Sequence, residues 1–463
     1  DPGTRNGLAA GLLTGHAAPS VDDAPLAVAV VRARYNPFGG AERFVQRALA
    51  ALAANRIEVT IVARAWTRAE EGAAAVPLRF ERVNPFYLGS LWRDWSFARA
   101  VRRHLAGRRF AIVQSHERIP GLPLYRAGDG VHAAYLEQRR RAEPGLQAAL
   151  LRASPYHAYV LAAERAMFTH PALRAVICNS EMVRRDIHQR FGVPLERLHL
   201  IRNGVDLQRF RPPTAGERAA AREQYGIEGG RTVFACVGSG YARKGVAAAI
   251  RALAMLGEGG VGGGGGGGGE GGGEGGGEGG GGQANAPAQA EGAAGVGVAV
   301  AAHPGAAAVG SADAAPLLLV AGTDRRERRY RALAARLGLA GRVRFLGGVA
   351  DVRPVLWAAD AFVLPTLYDP FPNAVLEARA AGLPAVTSTA SGAAEFVREG
   401  ENGFVVDALD EAALARALAA LCDPGPRAAR SAAARAAVAG LSLDALAGEL
   451  IALYRRLLES PVP

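Results

Sequence analysis

A predicted helix that starts near Asn373 offers the first candidate site of the chain. Asparagine is favoured just before a helix, and the prolines at positions 370 and 372 keep the helix from starting sooner. The first turn presents backbone N–H groups without intrahelical partners at the positive end of the helix dipole, which suits a phosphate. The amides concerned are those of Ala374, Val375 and Leu376.

Two carboxylates flank this helix start. Asp369 lies on the loop before it, and Glu377 lies one turn into the helix. A carboxylate repels a phosphate beside it, so a hydroxyl-rich group such as a ribose or a hexose is the more favourable partner for each. A phosphate next to a sugar suggests a sugar nucleotide. Asp369 and Glu377 are therefore catalytic candidates, and Phe371 and Asn373 between them are candidates for donor binding.

A second candidate site follows another predicted strand, in the stretch Gly-Ser-Gly-Tyr-Ala-Arg-Lys-Gly that begins at Gly238. Gly238 and Ser239 leave the backbone open to a ligand, and Arg243 and Lys244 can neutralise a diphosphate as it leaves. The alternative is a solvated basic pair at the start of a helix, where the dipole disfavours cations. Arg243 and Lys244 are thus candidates for both donor binding and catalysis.

The amino-terminal half carries a third group of candidates. Gly39 and Gly40 form a turn after the first predicted strand, which lets a donor approach the backbone closely. His116 also follows a strand and can hydrogen-bond the transferred sugar, whereas Asp129 and His132 can steer the acceptor hydroxyl. For these last three acceptor-side residues, a merely structural role is the alternative.

Short apolar runs alternate with helical patterns along most of the chain, in the order typical of a doubly wound parallel sheet. The first series of predicted strands is Leu26–Val31, Val59–Ala63, Val76–Phe80, Phe110–Gln114 and Ala175–Cys178. The second series is Thr232–Gly238, Leu317–Ala321, Val343–Phe345, Ala361–Leu364, Ala385–Ser388 and Phe404–Val406. Two series predict an α/β fold of two Rossmann-like domains that face each other across a cleft.

The same alternation sets the expected domain boundaries. We predict a disordered tail over 1–24, an acceptor-side domain over 25–205 and a nucleotide-sugar-binding domain over 206–440. A final helix over 441–463 is expected to pack back on the first domain. Within the second domain, residues 257–315 form a Gly-rich insertion that cannot bury enough apolar area to offset its ordering entropy, so we expect a disordered surface loop.

Several motifs resemble those of the retaining family 4 glycosyltransferases. The Asp-x7-Glu spacing of Asp369 and Glu377, closed by Leu-Glu-Ala, is similar to the Glu-x7-Glu segment of that family, with Asp369 where the family usually has glutamate. Phe-Gly-Gly-Ala-Glu-Arg around Gly39 and Gly40 resembles its first-loop motif. Arg-Lys-Gly at Arg243 is similar to its diphosphate clamp.

The resemblance implies the GT-B fold and a retaining transfer of a hexose from a nucleotide sugar, in particular a UDP-sugar. It implies that Glu377 holds the nucleotide ribose and that Asp369 faces the donor sugar. The departing phosphate itself would assist proton removal from the acceptor. The lipopolysaccharide core is the favoured acceptor, and another cell-surface glycan is the alternative. No metal and no cofactor other than the nucleotide-sugar substrate are expected.

Composition and charge narrow the classes of binding partner that the chain can have. The 463 residues carry a net charge of +11, a balance that attracts nucleic acid, anionic lipid or phosphorylated substrates. We expect no nucleic-acid partner, because no aromatic-interleaved basic motif of a known RNA or DNA module is present. The histidines and the three cysteines lack metal-ligand spacing, and widely spaced free thiols fit a reducing compartment.

The sequence allows two interpretations of how the chain relates to a membrane. No long apolar stretch and no signal-peptide core occur, so the predicted location is cytoplasmic, with peripheral binding to the inner membrane as a further expectation. The segment from Leu91 to Leu105 combines Trp92 and Trp95 with arginines at helical spacing. It is either a helix that lies on an anionic membrane surface or an ordinary amphipathic helix docked on the sheet.

Two alternative functions are also compatible with the sequence. The first is a glycosyltransferase that makes another polysaccharide or a small glycoside. The second, from another class, is a basic binding protein without catalytic activity.

Overall fold

The computed structural model of the protein describes residues 26–35, 57–66, 78–143, 145–258 and 315–459. Three predictions lie outside these ranges: the tail over 1–24, the turn at Gly39 and Gly40 with the helix after it, and nearly all of the Gly-rich insertion.

A parallel sheet is built from the amino-terminal half of the chain. Its strands and two short extra ones are β1 (Leu26–Val31), β2 (Arg34–Tyr35), β3 (Ile57–Ala63), β4 (Ala65–Trp66), β5 (Leu78–Arg82), β6 (Ile112–Ser115), β7 (Leu124–Arg126), β8 (Ala175–Cys178) and β9 (Leu198–Leu200). Seven of these form the order β5-β3-β1-β6-β7-β8-β9, and β2 pairs with β4. All neighbours in the large sheet are parallel.

The carboxy-terminal half builds a second parallel sheet. Its strands are β10 (Val233–Val237), β11 (Leu317–Ala321), β12 (Val343–Gly347), β13 (Ala361–Leu364), β14 (Ala385–Ser388) and β15 (Gly403–Val406). Their order is β12-β11-β10-β13-β14-β15, again parallel throughout. The central strands are fully buried, which is why their sequences are continuous apolar runs rather than alternating ones.

Helices connect the strands of both sheets. In the first half they are α1 (Gly89–Ala106), α2 (His132–Ala142), α3 (Leu146–Arg152), α4 (Pro155–Phe168) and α5 (Glu181–Phe191). In the second half they are α6 (Ala215–Gln224), α7 (Tyr241–Lys244), α8 (Val246–Glu258), α9 (Glu327–Arg336), α10 (Arg353–Ala358), α11 (Asn373–Ala380), α12 (Glu411–Cys422), α13 (Arg427–Ala436) and α14 (Leu443–Glu459). The predicted α/β architecture of two Rossmann-like units is confirmed.

The last helix returns to the first sheet. The chain leaves the first half near Val205 and comes back near Leu441, whose carbonyl accepts a hydrogen bond of 2.8 Å from the Val205 amide. From there α14 packs its apolar side, including Leu450 and Tyr454, into the same buried cluster as residues of β1 and β3. Two segments of the chain, which lie side by side, therefore connect the two halves.

In both sheets the strand order reverses beside the first strand of the series, between β1 and β6 and between β10 and β13. Open parallel sheets bind ligands at the carboxyl ends of the strands at such a reversal. The residues that follow these four strands are Arg32, His116, Gly238 and Pro365. The topology thus brings His116 and Gly238, two of the predicted site residues, to the two reversal points.

Candidate active site

One cavity of about 1110 Å³ lies at these strand ends and is lined by residues of both halves. From the first half it takes Arg32, His116, Glu117, Arg118, Arg126, Gly128, Asp129, His132, Tyr135, Asn179 and Asn203. From the second half it takes, among others, Gly238, Ser239, Arg243, Lys244, Tyr368, Asp369, Phe371, Asn373, Ala374 and Glu377. Nearly all of the sequence-predicted site residues that the structure describes share this cavity. Val375 and Leu376, whose side chains are buried, are the exceptions.

The basic pair does not stand at the start of the long helix α8, as the sequence suggested. Arg243 and Lys244 form the last turn of the four-residue helix α7, and Gly245 separates them from α8 with φ of 72°. A side chain at Gly245 would collide with the carbonyl oxygen of Pro365, so this position requires glycine. The carboxyl end of a helix favours cations, which removes the electrostatic objection to the pair.

Lys244 is held in the cavity by a carboxylate. It is only 8% exposed, so it is not a solvated surface lysine. Its Nζ lies 2.5 Å from Oδ2 of Asp369, and Nη1 of Arg243 lies 3.1 Å from the same oxygen. Burial by itself would raise the pKa of Asp369, but Lys244 and Arg243 outweigh it and hold that pKa below its ordinary value. Asp369 is therefore ionised at neutral pH and shared by both cations.

Asp369 also has a fixed backbone. Its amide donates to Ala390 over 3.0 Å, and its carbonyl accepts from Gly392 over 2.9 Å. The carboxylate cannot swing far from Lys244, and its distance to a bound ligand is set by the loop rather than by side-chain length alone.

The helix α11 starts one residue earlier than predicted. Asn373 is its first residue, Pro372 occupies the position before it, and no side chain caps that end. The prediction of a free amide at Val375 is wrong, because this amide donates to the Pro372 carbonyl over 3.0 Å. Asn373 and Ala374 line the cavity at this helix end, and Glu377 lines it one turn further along. Arg243 and Glu377 thus face one cavity.

Gly238 and Ser239 form the floor beside Lys244. The Gly238 amide donates to Ala321 over 2.8 Å, and the Ser239 hydroxyl accepts from the Thr323 amide over 3.1 Å. A Cβ atom at Gly238 would lie 2.9 Å from Cε of Lys244. The glycine therefore leaves room for the lysine side chain, a role that the sequence alone did not indicate.

His116 stands on the opposite wall, at the end of β6. Its Nε2 lies 2.9 Å from the amide nitrogen of Gln114. Burial, and then the charges of Arg32 and Arg126, hold the pKa of His116 well below its ordinary value. The imidazole is neutral at neutral pH, so it can orient a hydroxyl but carries no charge for a phosphate.

His132 and Asp129 lie on the same wall. His132 Nε2 is 3.1 Å from Nδ1 of His157, and burial together with Arg118 and His157 lowers the pKa of His132 to about 4. The backbone amide of His132 donates to both carboxylate oxygens of Glu164, over 2.9 and 3.1 Å. The amino end of α2 is thus occupied by the protein's own carboxylate, and Asp129 lines the cavity just before it.

Sequence reasoning missed two contacts that join the walls. Asn203, between the two halves, accepts from Arg126 over 2.7 Å and donates to Asn373 over 2.7 Å. The Tyr368 hydroxyl accepts from the Val131 amide over 2.9 Å. Nothing in the sequence around Asn203 or Tyr368 indicated a partner so distant along the chain.

Together these groups form a site with a basic pair, a helix start and two carboxylates, opposite a wall that carries two neutral imidazoles together with three arginines. Lys244, Arg243 and the start of α11 suit a diphosphate, whereas Glu377 and the imidazoles suit hydroxyl groups. Transfer of a group away from a phosphate needs this combination, because charge develops on the departing oxygen.

Two family models match the chain. "Glycosyltransferase Family 4" matches residues 38–209, and "Glycosyl transferases group 1" matches residues 293–423. The matches follow each other along the chain and together span most of it. The first match covers strands of the amino-terminal sheet, and the second match covers strands of the carboxy-terminal sheet.

Curated relatives agree with the models. The lipopolysaccharide core biosynthesis glycosyltransferase LpsE of Rhizobium meliloti is 45% identical over 86 residues, which are 19% of this chain and 25% of that protein. The lipopolysaccharide glucosyltransferase WaaG of Escherichia coli is 24% identical over 374 residues, 81% of this chain and 83% of that protein. The stronger identity is thus confined to a quarter of the length of LpsE.

Solved structures share the fold. The crystal structure of WaaG superposes with a TM-score of 0.70 at 23% identity and covers 92% of this chain and 99% of that one. Anabaena Alr3699/HepE in complex with UDP-glucose gives a TM-score of 0.63 at 18% identity and covers 93% of this chain and 100% of that one. The two facing parallel sheets are the arrangement that both structures share with this chain.

Proposed function

Because the chain is a glycosyltransferase of the GT-B fold, we propose that it moves a hexose from a UDP-sugar to the lipopolysaccharide core or another cell-surface glycan. The donor proposal draws on the cavity chemistry and on the UDP-glucose that HepE binds. The acceptor proposal draws on LpsE and WaaG, whose names place both in lipopolysaccharide synthesis.

The observation that carries the proposal is the position of Lys244 and Arg243 across one cavity from the start of α11. The donor diphosphate binds between them, because the lysine, the guanidinium and the amides of the helix start all favour an anion there. Glu377 accepts hydrogen bonds from the ribose. Asp369, which Lys244 and Arg243 hold ionised, lies where the donor sugar leaves the diphosphate.

In the proposed step the bond between the anomeric carbon and the diphosphate oxygen breaks, and a bond from the acceptor oxygen to the same carbon forms. The acceptor proton passes to the departing phosphate, and the configuration at the anomeric carbon is retained. His116, Asp129 and His132 orient the sugar and acceptor hydroxyls. Lys244 and Arg243 meet the charge on the leaving group, so we propose that no metal is needed and that chelation by EDTA leaves the rate unchanged.

A thermal-shift panel tests the donor. A ligand that binds only the native state raises the melting temperature, so UDP-glucose and UDP-galactose should raise it more than GDP- or ADP-sugars do. Lys244→Ala should remove the shift. If a GDP- or ADP-sugar gave the larger shift, the donor proposal would be wrong.

Product formation tests the acceptor and the enzyme class together. Purified lipopolysaccharide truncated in its core, other cell-surface polysaccharides and small sugars are offered with the donor that the panel selects. Mass spectrometry should show one added hexose on the core. Addition only to another polysaccharide or to a small sugar would favour the first rival, and donor binding without any product would favour a binding protein.

Peripheral membrane binding belongs to the same proposal. Helix α1 buries Phe97, Val101 and Leu105 on the sheet, as an amphipathic helix should, but leaves Trp92 41% and Trp95 48% exposed. Phe86 and Leu88 just before it are also exposed, and so are the arginines at positions 99, 102 and 103. Exposed aromatics beside arginines suit an anionic lipid surface. None of the helices in the described ranges is both long and apolar enough to span a bilayer.

Vesicle sedimentation tests this surface. The protein should bind vesicles that contain phosphatidylglycerol and not vesicles of phosphatidylcholine alone, and Trp92→Ser with Trp95→Ser should weaken binding about tenfold or more. Leu409→Ser is the matched control, since Leu409 is 41% exposed in the other half. Equal loss in the control, or no loss in the double variant, would exclude this face.

A further inference from the structure

We propose that Tyr454, on the last helix, is a positioning residue of the acceptor wall: through Gln114 it fixes His116 as the tautomer that carries its proton on Nδ1. The inference deepens the proposed function, because it assigns His116 a donor role toward a substrate hydroxyl. It concerns a residue that lies outside the cavity and 340 positions after Gln114.

The relay consists of two hydrogen bonds. The Tyr454 hydroxyl donates to Oε1 of Gln114 over 2.9 Å. The amide nitrogen of Gln114 lies 2.9 Å from Nε2 of His116. A glutamine amide nitrogen can only donate, so Nε2 must be the acceptor. A neutral imidazole that accepts at Nε2 carries its proton on Nδ1.

Burial makes the relay specific. Tyr454 is fully buried and Gln114 is 3% exposed, so bulk water does not replace either partner. The Tyr454 hydroxyl turns the carbonyl oxygen of Gln114 toward itself and thereby turns the amide nitrogen toward His116. Without Tyr454 nothing in the relay distinguishes the two orientations of the amide, and both tautomers of His116 become available.

The relay gives the last helix a role in addition to its packing against the first sheet. Helix α14 packs Leu450, Ile451 and Tyr454 against the first sheet, which accounts for its apolar residues but not for a tyrosine hydroxyl among them. His116 lines the cavity, and its Nε2 is already used. The Nδ1–H group is left to donate to a hydroxyl oxygen of the substrate. His116 therefore orients a hydroxyl and does not remove its proton.

The tautomer can be read without any substrate. In protein labelled with ¹⁵N-histidine, the ring nitrogens of His116, assigned with His116→Gln, should show the Nδ1–H form at neutral pH. Tyr454→Phe keeps the ring in the core and should give a mixture of both forms. Gln114→Glu offers only acceptors and should move the proton to Nε2. An Nε2–H form in the wild-type protein, or an unchanged spectrum in both variants, would overturn the proposal.

Kinetics then separate the relay from a merely structural role. Tyr454→Phe should lower kcat/KM for transfer about tenfold, the effect of one misdirected hydrogen bond, while the melting-temperature shift with UDP stays unchanged. Leu450→Ala is the matched control on the same helix: it should lower the melting temperature and leave both the tautomer and kcat/KM unchanged.

The two measurements also distinguish a failure of the proposed function from a failure of the proposed relay. If no transfer occurs from any nucleotide sugar, the proposed function fails while the tautomer result still decides the relay. If transfer occurs and the tautomer changes without any change in kcat/KM, the role of the relay in the acceptor site is refuted.

Discussion

At the scale of single residues, Asp369 occupies the two cations to which we propose that the donor diphosphate binds. Lys244 and Arg243 both contact Oδ2 of Asp369. A carboxylate this close shields the cations from an anion, and it also keeps them from being unpaired when no donor is bound. On the proposed function, Asp369 would thus stabilise the site without donor and lower its affinity for the donor, in addition to its proposed place beside the sugar.

We therefore predict that Asp369→Asn binds UDP more tightly than the wild-type protein, by about tenfold, although transfer is lost. The same change should lower the free energy of unfolding without ligand by roughly 3 kcal/mol, because it leaves the buried Lys244 without its carboxylate. Calorimetric titration with UDP and denaturant unfolding measure the two effects. Weaker UDP binding by the variant would show that Asp369 supports the nucleotide instead of competing with it.

The pH dependence of this pair has a definite sign. The pKa of Asp369 is lower in the folded protein than its ordinary value of 3.8, so its contribution to stability is fully present above that value. As the pH falls below 3.8 and through the folded pKa, the contribution is lost. The stability difference between the wild-type protein and Asp369→Asn should be constant from pH 5 to 7 and shrink only below about pH 4. A difference that already shrinks near pH 6 would contradict the lowered pKa.

At the scale of elements, a carboxylate of the protein itself occupies the amino end of helix α2. Glu164 on α4 is fully buried, accepts from the amides of His132 and Ala133, and lies 2.9 Å from Nε of Arg118. Arg118 also donates to the Gly130 carbonyl over 3.0 Å. One carboxylate thus caps α2 and balances a partly buried arginine.

Glu164→Gln should reduce the free energy of unfolding by about 3 kcal/mol, because Arg118 keeps its charge and loses the matching carboxylate. Glu137→Gln is the matched control: Glu137 also pairs with an arginine, Arg190, but both side chains are partly exposed, so the loss should be below about 1 kcal/mol. Denaturant midpoints compare the two variants. Equal losses would mean that burial does not set the strength of these pairs.

The elements were also what the sequence predicted best. Ala175–Cys178, Leu317–Ala321, Ala361–Leu364 and Ala385–Ser388 have the predicted bounds, because a strand buried on both faces is a short apolar run between breakers. The strands Leu124–Arg126 and Leu198–Leu200 were not predicted. Each has three residues, and a run so short has no period to recognise.

The candidate site was predictable by residue type and less so by geometry. Lys244 and Asp369 were both identified from their motifs, but their ion pair requires two strand ends to meet, which spacing along the chain does not encode. The free amide expected at Val375 depended on where α11 starts, and helix ends are uncertain by a residue in any sequence reading. Asn203 carried no signal, because its partners Arg126 and Asn373 belong to different halves.

At the scale of the whole molecule, Asn203 connects the wall that the first half contributes to the cavity with the start of helix α11. It lies at the crossing between the halves, with Arg126 of β7 on one side and the first residue of α11 on the other. These two hydrogen bonds therefore tie the start of α11 to the wall that the first half contributes to the cavity. Asn203→Ala should raise the KM for the nucleotide sugar about tenfold, since the two hydrogen bonds that hold Asn373 in line with Arg126 are lost.

Asn203→Asp refines this test, because an aspartate still accepts from Arg126 but cannot donate to Asn373. It should raise the KM for the donor as much as Asn203→Ala does while retaining more stability. Arg141→Ala is the control: it removes the ion pair of 2.6 Å between Arg141 and Asp407, which also joins the halves but is largely exposed, and should leave the KM unchanged. If all three variants raised the KM equally, donor affinity would depend on any contact between the halves and not on the alignment of α11.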